Sequence, residues 1–149
     1  MAATEGKIVV GVDGSDGSVR ALRWAIAEAA SHRARVIAVH AWEEPFLGEL
    51  ATKHEYESVR VECEHQAKDV VKDTIARAGG EHASVEFLVL HGTPAEMLLT
   101  AAREADLLVV GSRGRGGFAS LMLGSVSLRC AQHAPCPVVI VPAETTVPD

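Results

Sequence analysis

Apolar positions along this chain fall in short continuous runs that alternate with segments of helical spacing. The run from Lys7 to Asp13 (KIVVGVD) stops at Asp13-Gly14-Ser15, which predicts a buried strand ending in a turn. From Ser15 to about Arg33, Val19, Leu22, Ile26, Ala29 and Ala30 recur at helical spacing with Arg20, Arg23 and Glu28 between them. That pattern predicts an amphipathic helix with Ser15 as its N-cap. Ala34 to Trp42 (ARVIAVHAW) is a second apolar strand, and residues 43–51, with Pro45 and Gly48, read as a loop. From about Thr52 to Ala78 a stripe of Tyr56, Val59, Cys63, Ala67, Val70, Thr74 and Ala78 predicts a long helix, ended by Gly79-Gly80. Ser84 to Leu90 is a third strand. Thr93-Pro94-Ala95-Glu96 has the form of a capping box with proline at the first helical position, opening a helix to about Ala105. Asp106 to Gly111 is a fourth strand and Ser112 to Ser120 a loop. A short helix is expected from Gly124-Ser125 until Pro135-Cys136-Pro137 stops it. Val138 to Val141 is a fifth strand, and the chain from Pro142 reads as a frayed tail.

Five strands alternating with four helices predict an α/β fold whose parallel sheet is covered on both faces. All five strand candidates are apolar-rich rather than alternating, as burial on both faces requires. No linker or repeat divides the 149 residues, so a single domain is expected, with an ordered core over about residues 6–142.

Composition narrows the function classes. The chain is 48% hydrophobic and 23% charged, the balance of a soluble globular protein. A net charge of −6 argues against a duplex-DNA binder, and 4% aromatic residues argue against a stacking platform for single strands. Three cysteines, Cys63, Cys130 and Cys136, form no C-x-x-C pair and no disulfide framework. They fit a reducing cytosol. No stretch has the length and apolarity of a signal core or a membrane span, so a cytoplasmic location without membrane contact is expected.

In an open doubly wound sheet, ligands bind beyond the carboxyl ends of the strands, where the strand order switches. Two such ends carry suitable turn chemistry. After the fourth strand comes Gly111-Ser-Arg-Gly114, then nine residues, then Gly124-Ser125. Glycines let backbone N–H groups approach a phosphate, and a helix starting near Gly124 would aim its free N–H groups at an anion. The Ser125 and Ser127 hydroxyls would add donors. Between Asp106 and Glu144 there is no acidic residue, while Arg113, Arg115 and Arg129 fall there. The alternative is that these glycines merely punctuate a loop and the arginines form a solvated face. Asp13, ending the first strand, is the second candidate. It either accepts ribose hydroxyls or caps the first helix as an Asx-turn residue.

The strand IVVGVDGS (8–15), the segment DLLVVGSRG (106–114), LGSVS (123–127) and CPVVIVP (136–142) together resemble the universal stress protein family over nearly the whole chain. The pattern G-x2-G-x9-G-[ST], complete at Gly111, Gly114, Gly124 and Ser125, resembles the ATP-binding branch of that family. The resemblance implies a Rossmann-like sheet in the order 3-2-1-4-5 and ATP as ligand, with any Mg held through the phosphates and no metal held by the protein alone. It implies that Gly11, Val12 and Asp13 line the adenosine with Asp13 on the ribose, and that the Ala41 backbone reads the adenine edge. Val110 and Gly111 would pack the nucleoside. Arg113, Gly114, Gly124, Ser125, Val126 and Ser127 would surround the phosphates. The implied role is a nucleotide-dependent regulator of the stress response. AMP or cyclic AMP sensing and slow ATP hydrolysis are the alternatives.

Other residues suggest less. His54 and His65 have no metal-ligand spacing. His40 and His91 end strands, where a hydrogen-bonded structural role is expected. Cys130 and Cys136, six apart, are a candidate redox pair. There is no G-x-S-x-G, H-E-x-x-H or Walker lysine motif, so nothing visible would drive fast hydrolysis of a γ-phosphate. With the implied strand order, Val138–Val141 is an apolar edge without a blunting charge. A homodimer through that edge is expected.

Overall fold

Five parallel strands pair in the order β3-β2-β1-β4-β5 in the computed structural model, which describes residues 5–113 and 123–143. They are β1 (Lys7–Gly11), β2 (Arg35–Trp42), β3 (Val85–His91), β4 (Leu107–Gly111) and β5 (Val138–Val141). Four helices connect them: α1 (Asp16–His32), α2 (Lys53–Arg77), α3 (Pro94–Ala101) and α4 (Ser125–His133). Short 3-10 turns follow α2 at Gly80–His82 and α3 at Ala102–Glu104.

Successive residues of a strand point to opposite faces, and both faces of this sheet are apolar. Ile8 and Val10 of β1, Val36 and Ala38 of β2 and Val109 of β4 pack against Leu22, Ala25, Ala29, Val71 and Ala78 of the α1–α2 layer. On the other face Val9, Ile37, Val39, Leu108 and Val110 meet Leu98, Ala102 and Cys130 of the α3–α4 layer. The α/β class and the strand order are as the sequence implies. β1 and β4 are neighbours, with Val10 level with Val109, so the switch point lies between the two strand ends that carry Asp13 and Gly111.

Three local expectations need correction. Burial on both faces does not extend to β3, whose Glu86, Phe87 and Leu88 are exposed. It is the edge of the sheet and has β2 as its single strand neighbour. Glu86 there pairs with Arg35 of β2 at 2.7 Å. The buried stripe of α2 is Ala67, Val71 and Thr74, continued by Ala78, so Val71 and not Val70 faces the core. Spacing decides this: Val71 lies four after Ala67 and three before Thr74, on one helical face. The first half of α2 reaches past that contact, and Val61 is 58% exposed. Finally, Thr93 is an N-cap with Pro94 behind it, but its side chain makes no capping bond. The reciprocal capping box forms at α2 instead. There Thr52 Oγ1 accepts the Glu55 N–H at 3.1 Å and Glu55 accepts the Thr52 N–H at 2.7 Å.

Candidate functional site

The turn after β1 is built by a few short side chains. Gly14 takes φ 81°, in the left-handed region that glycine tolerates. Asp13 Oδ1 accepts the Ser15 N–H at 2.9 Å and also the Ser15 hydroxyl. Ser15 in turn caps α1, its hydroxyl oxygen accepting the Ser18 N–H at 3.2 Å. The Asx-turn reading of Asp13 is therefore realised. A carboxylate offers about four acceptor positions, so this turn and a ribose contact are not mutually exclusive in kind. From outside the turn, Arg77 of α2 donates to the Gly14 carbonyl at 3.0 Å and pairs with Asp16.

The β4 end is held from two directions. The Ser112 N–H donates to the Val141 carbonyl at 2.9 Å. The Ser112 carbonyl accepts the Gly124 N–H at 2.7 Å and the Ser127 hydroxyl at 2.9 Å. These bonds dock the start of α4 on the exit of β4. Gly124 is the N-cap and has no side chain to satisfy the first-turn N–H groups, while the first helical bond runs from Leu128 N–H to the Gly124 carbonyl. The N–H groups of Ser125, Val126 and Ser127 thus open the helix without an intrahelical partner. No acidic residue occupies that first turn, so its partial positive charge is not offset locally.

The structure brings Gly11, Val12, Asp13, Gly111, Ser112, Arg113 and Gly124–Ser127 to one end of the sheet. Gly11 is level with Val39 of β2, and Ala41 lies two residues further along, at the same end. Gly114, like Arg115, lies outside the described residues. Not every candidate side chain faces outward. Val12 and Val110 are buried core residues, so their contribution to a ligand would come from the backbone. Ser127 is buried, and its single proton is shared between the Ser112 and Gly124 carbonyls. It fastens the loop instead of offering a hydroxyl outward. Ser125 is exposed. Gly11 also has a packing reason, since a Cβ there would lie 2.7 Å from a methyl of Leu98.

Sequence reasoning gave no role to Arg77, Gly17 or Ser112. Arg77 reaches Gly14 from 63 residues away, and no local pattern announces that. The two strand-end histidines are hydrogen-bonded: His40 Nδ1 to the Val12 carbonyl at 2.8 Å, and His91 Nε2 to Glu44. His91 also stacks at a tilt on Trp42, with ring centroids 4.7 Å apart. The Glu44 carboxyl is held below its ordinary range by its own backbone N–H and by His91. Among the described residues no three His, Cys, Asp or Glu side chains gather to hold a metal ion, and no helix is long and apolar enough to cross a membrane. Cys130 and Cys136 are free thiols. Burial pushes the Cys130 thiol up to about 11, and burial followed by the charge of Asp106 raises Cys136. Both shifts disfavour the thiolate that a redox pair requires.

The family model described as the universal stress protein family matches residues 5–142. A Thermus aquaticus relative, the universal stress protein in the QAH/OAS sulfhydrylase 3' region, is 41% identical over 143 residues, covering 90% of this chain and 96% of that protein. The solved structure of UspA from Lactobacillus plantarum superposes with a TM-score of 0.77 at 24% identity, covering 94% of this chain and 99% of that one. A universal stress protein solved in complex with cAMP is 30% identical, with a TM-score of 0.65, covering 93% of this chain and 98% of the other.

Proposed function

Because the chain belongs to the universal stress protein family, we propose that it binds an adenine nucleotide, ATP, and acts as a nucleotide-dependent regulator of the stress response in the cytoplasm. The observation that carries this reading is the docking of the α4 start on the β4 exit through the Ser112 carbonyl. It puts a glycine N-cap and three N–H groups without an intrahelical partner beside Gly111, the arrangement that receives phosphates. In this reading Asp13 accepts the ribose hydroxyls, the Ala41 backbone meets the adenine edge, and Arg113, Gly114 and Ser125 complete the phosphate end. A Mg ion would be held through the phosphates. The protein works as a dimer joined along β5, whose four residues are all apolar and only partly buried.

A second reading has its own support. The 30% identical relative is in complex with cAMP, and a cyclic monophosphate needs the ribose and adenine contacts but fewer phosphate donors. Mass spectrometry of the ligand released from gently purified, then denatured protein, followed by competition among ATP, ADP, AMP and cAMP, separates the two. ATP retention with weak cAMP competition supports the first reading, and the reverse order replaces it. Release of Pi well above that of a Gly124→Val variant would assign slow hydrolysis to the same site.

A further inference from the structure

The exit of β4 runs between two helix starts. On one side the Ser112 carbonyl is fastened to Gly124 and Ser127 at the start of α4. On the other side lies the first turn of α1. A Cβ on Gly17 would stand 2.7 Å from the Arg113 carbonyl oxygen, and a Cβ on Gly111 would stand 3.0 Å from the carbonyl carbon and oxygen of Gly17. In both cases the obstacle is main chain, which cannot rotate aside as a side chain does. Gly17 is buried, and its φ lies outside the left-handed region, so its backbone conformation does not call for glycine. Space alone explains why none but the smallest residue fits there.

We infer that Gly17 is a positioning residue for the phosphate end of the site, an inference that rests on the nucleotide reading above. It touches no ligand. Its missing side chain lets residues 111–113 settle on α1, and that seating sets the distance from the β4 exit to the first turn of α4. A methyl group at position 17 drives the Arg113 carbonyl outward and pulls on the neighbouring Ser112 carbonyl. The bonds to Gly124 and Ser127 then lengthen, and the N–H groups of 125–127 lose their aim. Ala41, on β2, and Asp13, whose bonds run to Ser15 and Ser18, lie outside the Gly17–Arg113 contact.

The test compares Gly17→Ala and Ser127→Ala with the unaltered full chain, using ATP and adenosine in calorimetric titrations. Gly17→Ala is expected to weaken ATP roughly tenfold or more while changing adenosine less than about threefold. Ser127→Ala loosens the same carbonyl from the opposite side and is expected to show the same preference for damaging ATP. Amide hydrogen exchange supplies a ligand-free readout, with the Gly124 N–H exchanging roughly tenfold faster in Gly17→Ala. Unchanged ATP affinity in Gly17→Ala overturns the inference, as does equal loss of ATP and adenosine. If Gly17→Ala does not fold, equal loss of the two ligands in Ser127→Ala overturns it. Unaltered protein that binds neither ligand overturns the nucleotide reading instead, and the Gly124 exchange rate still reports whether Gly17 seats the β4 exit.

Discussion

His40 donates from Nδ1 to the main-chain carbonyl of Val12 across 2.8 Å. A carbonyl only accepts, so Nδ1 carries a proton whether the ring is neutral or charged. The bond ties the end of β2, next to Ala41, to the end of β1, next to Asp13. His40→Ala is expected to weaken ATP and adenosine alike by roughly two- to tenfold, the worth of one neutral hydrogen bond. His40→Asn restores a donor near the same place and should recover part of the loss. Calorimetry on the two variants checks both points.

Gly124→Val places a branched side chain at the N-cap where phosphates would approach. ATP affinity should collapse while adenosine, with no phosphate to clash, is affected less. Equal losses would move the phosphates away from α4.

Asp13→Ala should act on two readouts. Losing a charge-assisted hydrogen bond to the ribose costs roughly 1.5–3 kcal/mol, or about 10- to 150-fold in affinity, shared by ATP, AMP and adenosine. The same change frees Ser15, which Asp13 holds in its capping position. The melting temperature should therefore also fall, by the equivalent of about 1 kcal/mol. A loss confined to ATP would instead place Asp13 on a phosphate-bound metal.

Most of this architecture is legible in the sequence because the strands are short apolar runs and the helices between them carry clear stripes. What escapes is what depends on neighbours far along the chain. Nothing local distinguishes Val70 from Val71 until the face that meets the sheet is fixed. Thr93 and Thr52 both precede a glutamate by three residues, and only one of the two closes its box. The apolar run of β3 reads as buried, yet its place at the end of the sheet leaves Phe87 and Leu88 partly in water. At the candidate site the glycine pattern and Asp13 are visible in sequence. The inward turn of Ser127 and the reach of Arg77 are not, since each depends on partners brought near by the sheet.

Cys130 is fully buried, and its thiol is pushed from the ordinary value of 9.0 up to about 11. A folded pKa above the unfolded one means that this group's stabilisation is complete below about pH 9 and is lost as pH rises toward 11. The unaltered protein should lose melting temperature over that window more steeply than Cys130→Ala. At about pH 8 a thiol reagent should modify the partly exposed Cys63 and Cys136 well before Cys130.

Val139→Lys sets a charge in the middle of β5. If two copies join along that strand, sedimentation should show monomers with unchanged circular dichroism. A persistent dimer would put the interface elsewhere.

The strand order also dictates when the protein can first work. β1 is made before the other four strands but lies in the middle of the sheet, and the strand on one of its flanks, β4, is made only after β2 and β3. A nascent chain that has emerged through α3 can pair β3, β2 and β1, yet β1 still presents an unpaired apolar flank. Gly111, Ser112 and Gly124 arrive later, so on the proposed nucleotide reading ligand capture has to wait for β4 and α4. A fragment cut before Leu107 should expose a sticky strand in place of a half-active site.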